Sequence, residues 1–569
     1  MDKQSMNAAQ AIVEALIENG VTCVFGMTGD TILPLLDALD ARRDEIRYVT
    51  TRFETGTTSM ADAFARVSGT VGVCALHVGP SVSNSVMGIW SALKDSSPLL
   101  LLSSNMDTFR LERNIWHEFD VMRVFAGVTK HNEQVREAKD INRVMRKAFQ
   151  IARSGRPGTV HIDVPKDLYP KGVRAESTDL SLKGGASLPR VYNRPRPDAQ
   201  AVDAALDMIV AASNPVLVVG GPARMQDGQQ LITQLAEHFS IPVMTTEVGR
   251  GAISEFHPLA SGIVGHFGTA ASNQLLKEAD LVIGLDCGFI NVNMINWSLI
   301  REEAQIIQVE RDPAVIGDQY AVALGVHADS CSFAADLLAR AEERRLGSPL
   351  DEGNSRALRV KELIADQWRR FYDTDLTATP VKPQLVTKLV EEVFAPDAIF
   401  LVGMGYNTQF GYSVRVRQAH QSHSPAGSGS MGWALPAAIG AKLAAPNRQV
   451  VTLLGDGDFA MNAQELETAV REKTPFTCVV FNDVSFGALR IFQKNLYQGR
   501  NIGSTYGDTD LVALARAYGA DGIRVDAPGQ LRPALEKASR STVPTVVDVR
   551  IDPWERFYRE PEFGAFHKF

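Results

Sequence analysis

The sequence predicts an α/β protein built from three doubly wound parallel-sheet domains in series. Three observations lead there. The chain has 569 residues, and at roughly 100–200 residues per domain that implies three domains or more. Amphipathic helical patterns alternate with short strand-like runs that are apolar nearly throughout, as strands covered on both faces require. Two stretches of weaker pattern, at about 170–197 and 346–380, divide the alternation.

The first segment, taken as 1–185, reads as helix AAQAIVEALIENG, strand VTCVFG, helix ILPLLDALDAR, strand IRYVTT and helix TTSMADAFARVSG. It continues with VGVCALHV, PLLLLSS, the amphipathic INRVMRKAFQIARSG and TVHIDVP. The Lys-, Gly-, Ser- and Pro-rich stretch ending in RPRPDA reads as a linker. A second segment, 198–345, carries strands PVLVVGG, IPVMTT, DLVIGLD and QIIQVE. After a second break, the third, 378–555, repeats the alternation through AIFLVG, QVVTLLG, FTCVVFN and TVVDVRI.

Hydrophobic residues at 45% and charged residues at 22% are the proportions of a packed globular protein, which excludes a disordered or coiled-coil chain. Lys+Arg number 58 against 66 Asp+Glu, a net charge of -8 without a basic block, so nucleic acid is not an expected partner. No apolar run approaches the roughly 18–20 residues that cross a bilayer. The N-terminal MDKQSMNAAQ lacks a signal peptide's basic and apolar regions, so the expected location is cytoplasmic, away from membranes. Cys23, Cys74, Cys287, Cys331 and Cys478 are far apart without a CxxC. Neither disulfide framework nor zinc site is expected.

The chemistry is concentrated in the third segment. Strand QVVTLL runs into Gly455-Asp456-Gly457-Asp458, followed by a helix expected near Asn462, and strand FTCVVF ends at Asn482-Asp483. Ligands in open α/β sheets sit at the carboxyl ends of strands, and glycines let backbone approach a phosphate. Asp456 is then placed to hold a hard cation, with Asp483 or Asn482 as the second oxygen ligand of a diphosphate-bound magnesium. Gly427-Ser-Gly429-Ser-Met-Gly432 also fits GxGxxG, but RQAHQSHSPA before it is no strand, which excludes a dinucleotide fingerprint.

GDG followed at this spacing by Asn482-Asp483 resembles the thiamine-diphosphate signature. The stretches GSGSMGWALPAAIGAKLAAP, GDGDFAMNAQELETAVREKTP and FGMTGDTILPLLDAL are similar to the superfamily of pyruvate decarboxylase, benzoylformate decarboxylase and acetohydroxyacid synthase. The resemblance covers nearly the whole chain. It implies an N-terminal pyrimidine-binding domain, a central domain and a C-terminal diphosphate-binding domain, with thiamine diphosphate and Mg2+ as cofactors. The position usually occupied by Asn and supplying the metal ligand is Asp483 here, and the Ser485 carbonyl falls where the family's main-chain ligand lies. Gly429 and Met431 fall where the family contacts the aminopyrimidine and bends the cofactor.

By the same resemblance Glu54 is the carboxylic acid on the pyrimidine nitrogen, although Phe53 replaces the usual His before it. The family pairs this Glu with a cofactor held by another subunit, so a dimer or tetramer with shared active sites is implied. Asp30 falls where pyruvate decarboxylase has an active-site Asp, and His77 where benzoylformate decarboxylase has a catalytic His. His117 replaces a synthase Gln and adds a second candidate proton donor. Asn84 and Asn105 are candidate pocket residues, and Phe486, Leu489, Ile491 and Phe492 suggest an apolar substrate side chain. CGFINVN stands where synthases carry an Arg-Phe-Asp-Asp flavin stretch, so FAD is not expected. Arg224, Arg250 and Arg311 leave a nucleotide open but read as surface or structural residues. The tail RFYREPEFGAFHKF either closes over the site or docks as a simple terminus.

The expected function is decarboxylation of a small-molecule 2-oxo acid, with the resulting enamine protonated or joined to an aldehyde. The alternatives are an acetolactate-synthase-like carboligase and a lyase of 2-hydroxy ketones or 2-hydroxyacyl-CoA. A non-catalytic thiamine-binding protein on the same fold is the rival from another class.

Overall fold

In the computed structural model, which describes residues 6–173, 194–224, 227–351, 353–555 and 557, the strands form three six-stranded sheets. The first contains β1 Cys23–Gly26, β2 Arg47–Thr50, β3 Gly72–His77, β4 Leu99–Asn105, β5 His131–Gln134 and β6 Thr159–Pro165, in the order β2-β1-β3-β4-β6-β5. The second contains β7 Pro215–Val219, β8 Val243–Thr245, β9 Ala260–Ile263, β10 Leu281–Leu285, β11 Gln305–Glu310 and β12 Leu324–His327, in the order β12-β11-β10-β7-β8-β9. The third contains β13 Ile399–Val402, β14 Ser422–His423, β15 Val450–Gly455, β16 Thr477–Asn482, β17 Asp521–Val525 and β18 Thr545–Arg550, in the order β14-β13-β15-β16-β18-β17. Parallel pairing with helices on most of the crossovers is the doubly wound architecture.

The first and third domains share one core. Met60, Phe64, Trp433, Leu435, Ile439 and Phe459 belong to a single buried cluster, and burying each such side chain stabilises by about 1.5–3 kcal/mol. Helix Glu54–Ser68 lies against helix Ala434–Ala444. Gly440 permits the close crossing, since a Cβ there would come within 2.0 Å of the Met60 carbonyl oxygen. The contact is also polar. Buried Arg66 pairs with Asp62 and Asp95 and donates to the Ser424 carbonyl at 2.8 Å, while Trp433 Nε1 donates to Asp62 at 2.9 Å. A buried arginine persists when its charge is matched and hydrogen-bonded.

Several elements differ from the sequence expectation. The break expected at 346–380 holds the 17-residue helix Ser355–Phe371, whose Asn354 side chain accepts from the N–H groups of Arg356 and Ala357. Its apolar stripe is sparse, with Val360 and Phe371 buried, so charge masked the helical period. Strand β5, HNEQ, was hidden by polarity, since it is half-buried at the sheet edge. The helix expected near Asn462 is Glu465–Arg471, and an additional short helix, Asp456–Met461, directly follows β15. Asn462 instead ends that helix and donates to the Gly432 carbonyl at 2.6 Å. Most of the expected linker and of the C-terminal tail lies outside the described residues.

Candidate functional site

The register of the third sheet creates the first half of the site. β15 and β16 are neighbours with Gly455 opposite Phe481, so the residues that follow each strand, Asp456 and Asp483, emerge side by side. They line a cavity of about 290 Å3 that also receives Gly429, Met431, Gly457, Asp458 and Ser485. Every candidate diphosphate, metal and aminopyrimidine residue of the third segment except Asn482 thus lines one space. Gly405, Tyr406, Asn407 and Phe267 also line it. The sequence reading missed them because they lie on loops after β13 and in the central domain, with no motif of their own.

Asp456 Oδ2 accepts from the Tyr506 hydroxyl at 2.8 Å, and burial together with the charge of Asp483 raises its pKa to about 7. Asp483 accepts from Arg490 Nη2 at 2.8 Å and from the Ser485 hydroxyl at 3.1 Å, and burial raises its pKa above the usual carboxylate value. Two buried carboxylates that repel one another form a hard, all-oxygen donor set that fits a divalent cation of the magnesium type. Asn482 faces away. Its amide donates to Asp548 at 2.8 Å and accepts from Arg550 at 3.1 Å and the Val484 N–H at 3.2 Å. Asp458 differs from Asp456 in using both oxygens locally. They accept from the backbone N–H groups of Gly432 and Met404, tying together two loops of the cavity wall, and burial raises its pKa to about 7. Phe486, Leu489 and Phe492 line the cavity, whereas Ile491 does not.

The second half of the site belongs to the first domain. Glu54 is the first residue of its helix, is buried, and accepts from Asn84 Nδ2 at 3.1 Å. Asp30, His77 and His117 converge, each offering a ligand atom within 4.8 Å of the others. His77 Nδ1 lies 2.7 Å from the Thr31 hydroxyl and 3.5 Å from Asp30, while its Nε2 lies 3.1 Å from His117 Nδ1. Thr31 donates its one proton to the Ser104 carbonyl at 3.0 Å, so it accepts from His77 Nδ1. This assigns the proton of neutral His77 to Nδ1, makes its Nε2 the acceptor, and places a proton on His117 Nδ1. His77 presents opposite ring nitrogens to Asp30 and His117. Burial is the largest influence on His77 and lowers its pKa, with Asp30 opposing.

Backbone geometry serves this cluster. His117 has φ 67°, in the left-handed region that a non-glycine residue occupies only when its surroundings hold it there. A Cβ on Gly29 would come within 2.3 Å of the His77 ring, so the turn before Asp30 must be glycine for the imidazole to fit.

Glu54, Asp30, His77 and His117 are absent from the lining of the diphosphate-side cavity within one chain. Asn105 is a structural residue, donating to buried Asp163 at 2.9 Å. Of the three central arginines, Arg224 and Arg250 are buried and Arg311 is half-buried. Arg224 donates to the Arg250 and Ser422 carbonyls, Arg250 pairs with Glu255 and Arg311 with Asp286 and Asp329. Their donors are engaged by protein groups that join domains or strand ends.

Comparison with known proteins agrees with the cavity. Residues 6–124 match the thiamine pyrophosphate enzyme N-terminal TPP binding domain, 202–337 the central domain and 403–549 the C-terminal TPP binding domain. A probable acetolactate synthase large subunit of Methanocaldococcus jannaschii is 32% identical, with 98% of this chain and 94% of the relative covered. The acetolactate synthase large subunit of Parasynechococcus marenigrum is 33% identical over 98% and 89%. The acetolactate synthase isozyme 3 large subunit of Escherichia coli is 31% identical over 98% and 96%. With matching domain models in all three segments and relatives similar from end to end, this chain belongs to the thiamine pyrophosphate enzyme family.

Proposed function

We propose that this protein is a thiamine-diphosphate- and Mg2+-dependent carboligase of the acetolactate-synthase type, which decarboxylates one 2-oxo acid and joins the remaining unit to a second carbonyl compound. The observation that carries this reading is the end-to-end likeness to acetolactate synthase large subunits. It moves the reading from simple decarboxylation to the carboligase alternative.

In this reading Asp456, Asp483 and the Ser485 carbonyl hold the metal and, through it, the diphosphate. Gly455 and Gly457 leave room for the phosphates, while Asp458 fixes the loops that carry Met404 and Gly432. Gly429 and Met431 hold the aminopyrimidine. Glu54, brought by a second copy of the chain, holds a proton at the pyrimidine nitrogen, making the shared site a property of a dimer or a larger assembly. Bound thiamine diphosphate supplies the carbon that adds to the 2-oxo acid and the electron sink for carbon dioxide loss. His117, with its Nδ1 proton directed to His77, keeps Nε2 for proton exchange with the reacting groups.

The convergence of Asp30 with the hydrogen-bonded pair His77 and His117 favours a second reading, in which the donor unit is protonated and leaves as an aldehyde. Product analysis with pyruvate, thiamine diphosphate and Mg2+ separates the two. Carboligation releases one carbon dioxide for every two pyruvates and yields acetolactate. One carbon dioxide per pyruvate with acetaldehyde overturns it.

A further inference from the structure

Asp30, His77 and His117 meet on the first domain, and one ligand atom from each lies within 4.8 Å of the others. The two imidazoles form the core of the cluster. His77 Nε2 and His117 Nδ1 are 3.1 Å apart, close to the roughly 3.3 Å that separates two nitrogens held at about 2.0–2.1 Å by one tetrahedral Zn2+. His77 is already in the tautomer that such an ion needs. Its Nδ1 proton goes to Thr31, whose hydroxyl is fixed on the Ser104 carbonyl, and a donation of this kind from the second nitrogen orients a metal-ligating histidine. Glycines allow both residues their places. A Cβ on Gly29 would come within 2.3 Å of the His77 ring, and one on Gly79 within 2.7 Å of the His117 carbonyl oxygen. Asp30 adds a carboxylate whose Oδ1 lies 3.5 Å from His77 Nδ1, while Oδ2 meets Lys166 at 3.4 Å. Its side chain is 59% exposed, so rotation brings Oδ1 round to the His117 side of the ring. A cavity of about 510 Å3, lined by Asp30, Trp116 and His117 among others, gives an ion access from solvent.

We propose that His77 Nε2, His117 Nδ1 and Asp30 form a binding site for a divalent ion of the zinc class, separate from the diphosphate-side Mg2+ site, and that its occupation stops turnover. Two imidazoles and one carboxylate suit Zn2+, Cu2+ or Ni2+, whereas Mg2+ prefers the all-oxygen set of Asp456 and Asp483. Without the ion, the His117 Nδ1 proton fills the line between the two rings. An ion takes its place and the proton moves to His117 Nε2, so both rings bind as neutral ligands with no net release of protons. His117 Nε2 then carries a proton and has no lone pair with which to accept one from the reacting groups. Inhibition therefore rests on the proton-exchange role given to His117 in the proposed function, whereas binding of the ion does not.

Equilibrium dialysis of Zn2+ against the full-length protein, loaded with thiamine diphosphate and kept in excess Mg2+, tests the site. The parent protein is expected to hold one Zn2+ per chain. His77→Ala and His117→Ala are each expected to weaken its binding by about a hundredfold or more, and Asp30→Asn and Thr31→Val by about tenfold. Unchanged thiamine diphosphate and Mg2+ affinities show that each variant is folded. Co2+ in place of Zn2+ is expected to quench the fluorescence of Trp116, whose ring lies 4.1 Å from that of His117, and Trp116→Phe to remove that quenching. Turnover of the parent protein is expected to fall as the Zn2+ binds and to return when a zinc-selective chelator removes it. Zn2+ binding that survives both histidine substitutions, or that is lost with Asp456→Asn instead, overturns the proposal. Binding that needs both histidines but leaves turnover unchanged keeps the site and overturns the proton-exchange role of His117.

Discussion

Glu465 of the third domain accepts a hydrogen bond from the backbone N–H of Phe53 at 2.9 Å, one residue before Glu54. The same carboxylate accepts from the Arg52 N–H at 3.0 Å and the Thr468 hydroxyl at 2.6 Å. It lies against Gly56, where a Cβ would come within 2.5 Å of it. A carboxylate from one domain thus satisfies backbone donors at the start of a helix in another. Glu465→Ala leaves the buried Thr468 hydroxyl and the part-buried Arg52 and Phe53 N–H groups without their acceptor, a cost of about 1–3 kcal/mol, and is expected to lower the melting temperature and to weaken thiamine diphosphate binding by displacing Glu54. Thermal denaturation and cofactor titration check both.

Glu465 also sets a pH dependence. Burial raises its pKa from 4.5 to about 7, so the folded state favours the protonated form. The resulting stabilisation is full below the unfolded value of about 4.5 and is lost as pH rises through about 7. Glu465→Gln, neutral at every pH, is expected to remove this component. The difference in stability between the parent protein and the variant across pH 4–8 reads it.

Metal binding follows the opposite direction. Asp456, at about 7 in the free protein, must ionise to hold a cation, so Mg2+ affinity is expected to rise with pH up to about 7 and then level off, with protons released on binding. Calorimetry in buffers of different ionisation heat measures the release.

Asp483→Ala and Asn482→Ala are expected to fail differently. The first removes a proposed metal ligand and frees Arg490, weakening Mg2+ binding by about tenfold or more with a modest change in stability. The second leaves Asp548 and Arg550 without their shared partner and costs about 1–3 kcal/mol of stability. Metal titration paired with denaturation distinguishes them.

The tautomer of His77 is directly observable. Nitrogen-15 spectra of histidine-labelled protein are expected to show the His77 proton on Nδ1, with Nε2 as an acceptor. Thr31→Val removes the hydroxyl that fixes this arrangement and is expected to mix the tautomers. A proton on Nε2 in the parent protein would contradict the relay to His117.

At the crossing of the shared core, Gly440→Ala is expected to destabilise by about 1–3 kcal/mol, the cost of overpacking. The added methyl meets the Met60 carbonyl rather than a movable side chain, and thermal denaturation reports it.

The alternation of βα units, the division into three segments and the GDG-to-ND spacing were legible from the sequence alone, because each is a local pattern of period, apolar run or motif. So were Asp456 and Asp483 of the diphosphate-side cavity, since strand ends of a parallel sheet gather ligand-facing residues, whereas Gly405, Tyr406, Asn407 and Phe267 of its lining were not. The helix Ser355–Phe371 was not, because its apolar positions are few and its burial comes from other domains. Only the tertiary structure decided what adjacent or equivalent residues do. Asn482 and Asp483 are neighbours, yet one turns to Asp548 and Arg550 and the other to the cavity. Asp456 and Asp458 share a motif, yet Asp458 ties two loops. His77 stands behind His117, and Glu465 holds the start of the Glu54 helix across a domain contact. Asn482, Asp458, His77 and Glu465 each depend on a hydrogen-bond partner distant in sequence. A residue's chemistry limits the partners it can take, while packing determines which one is within reach.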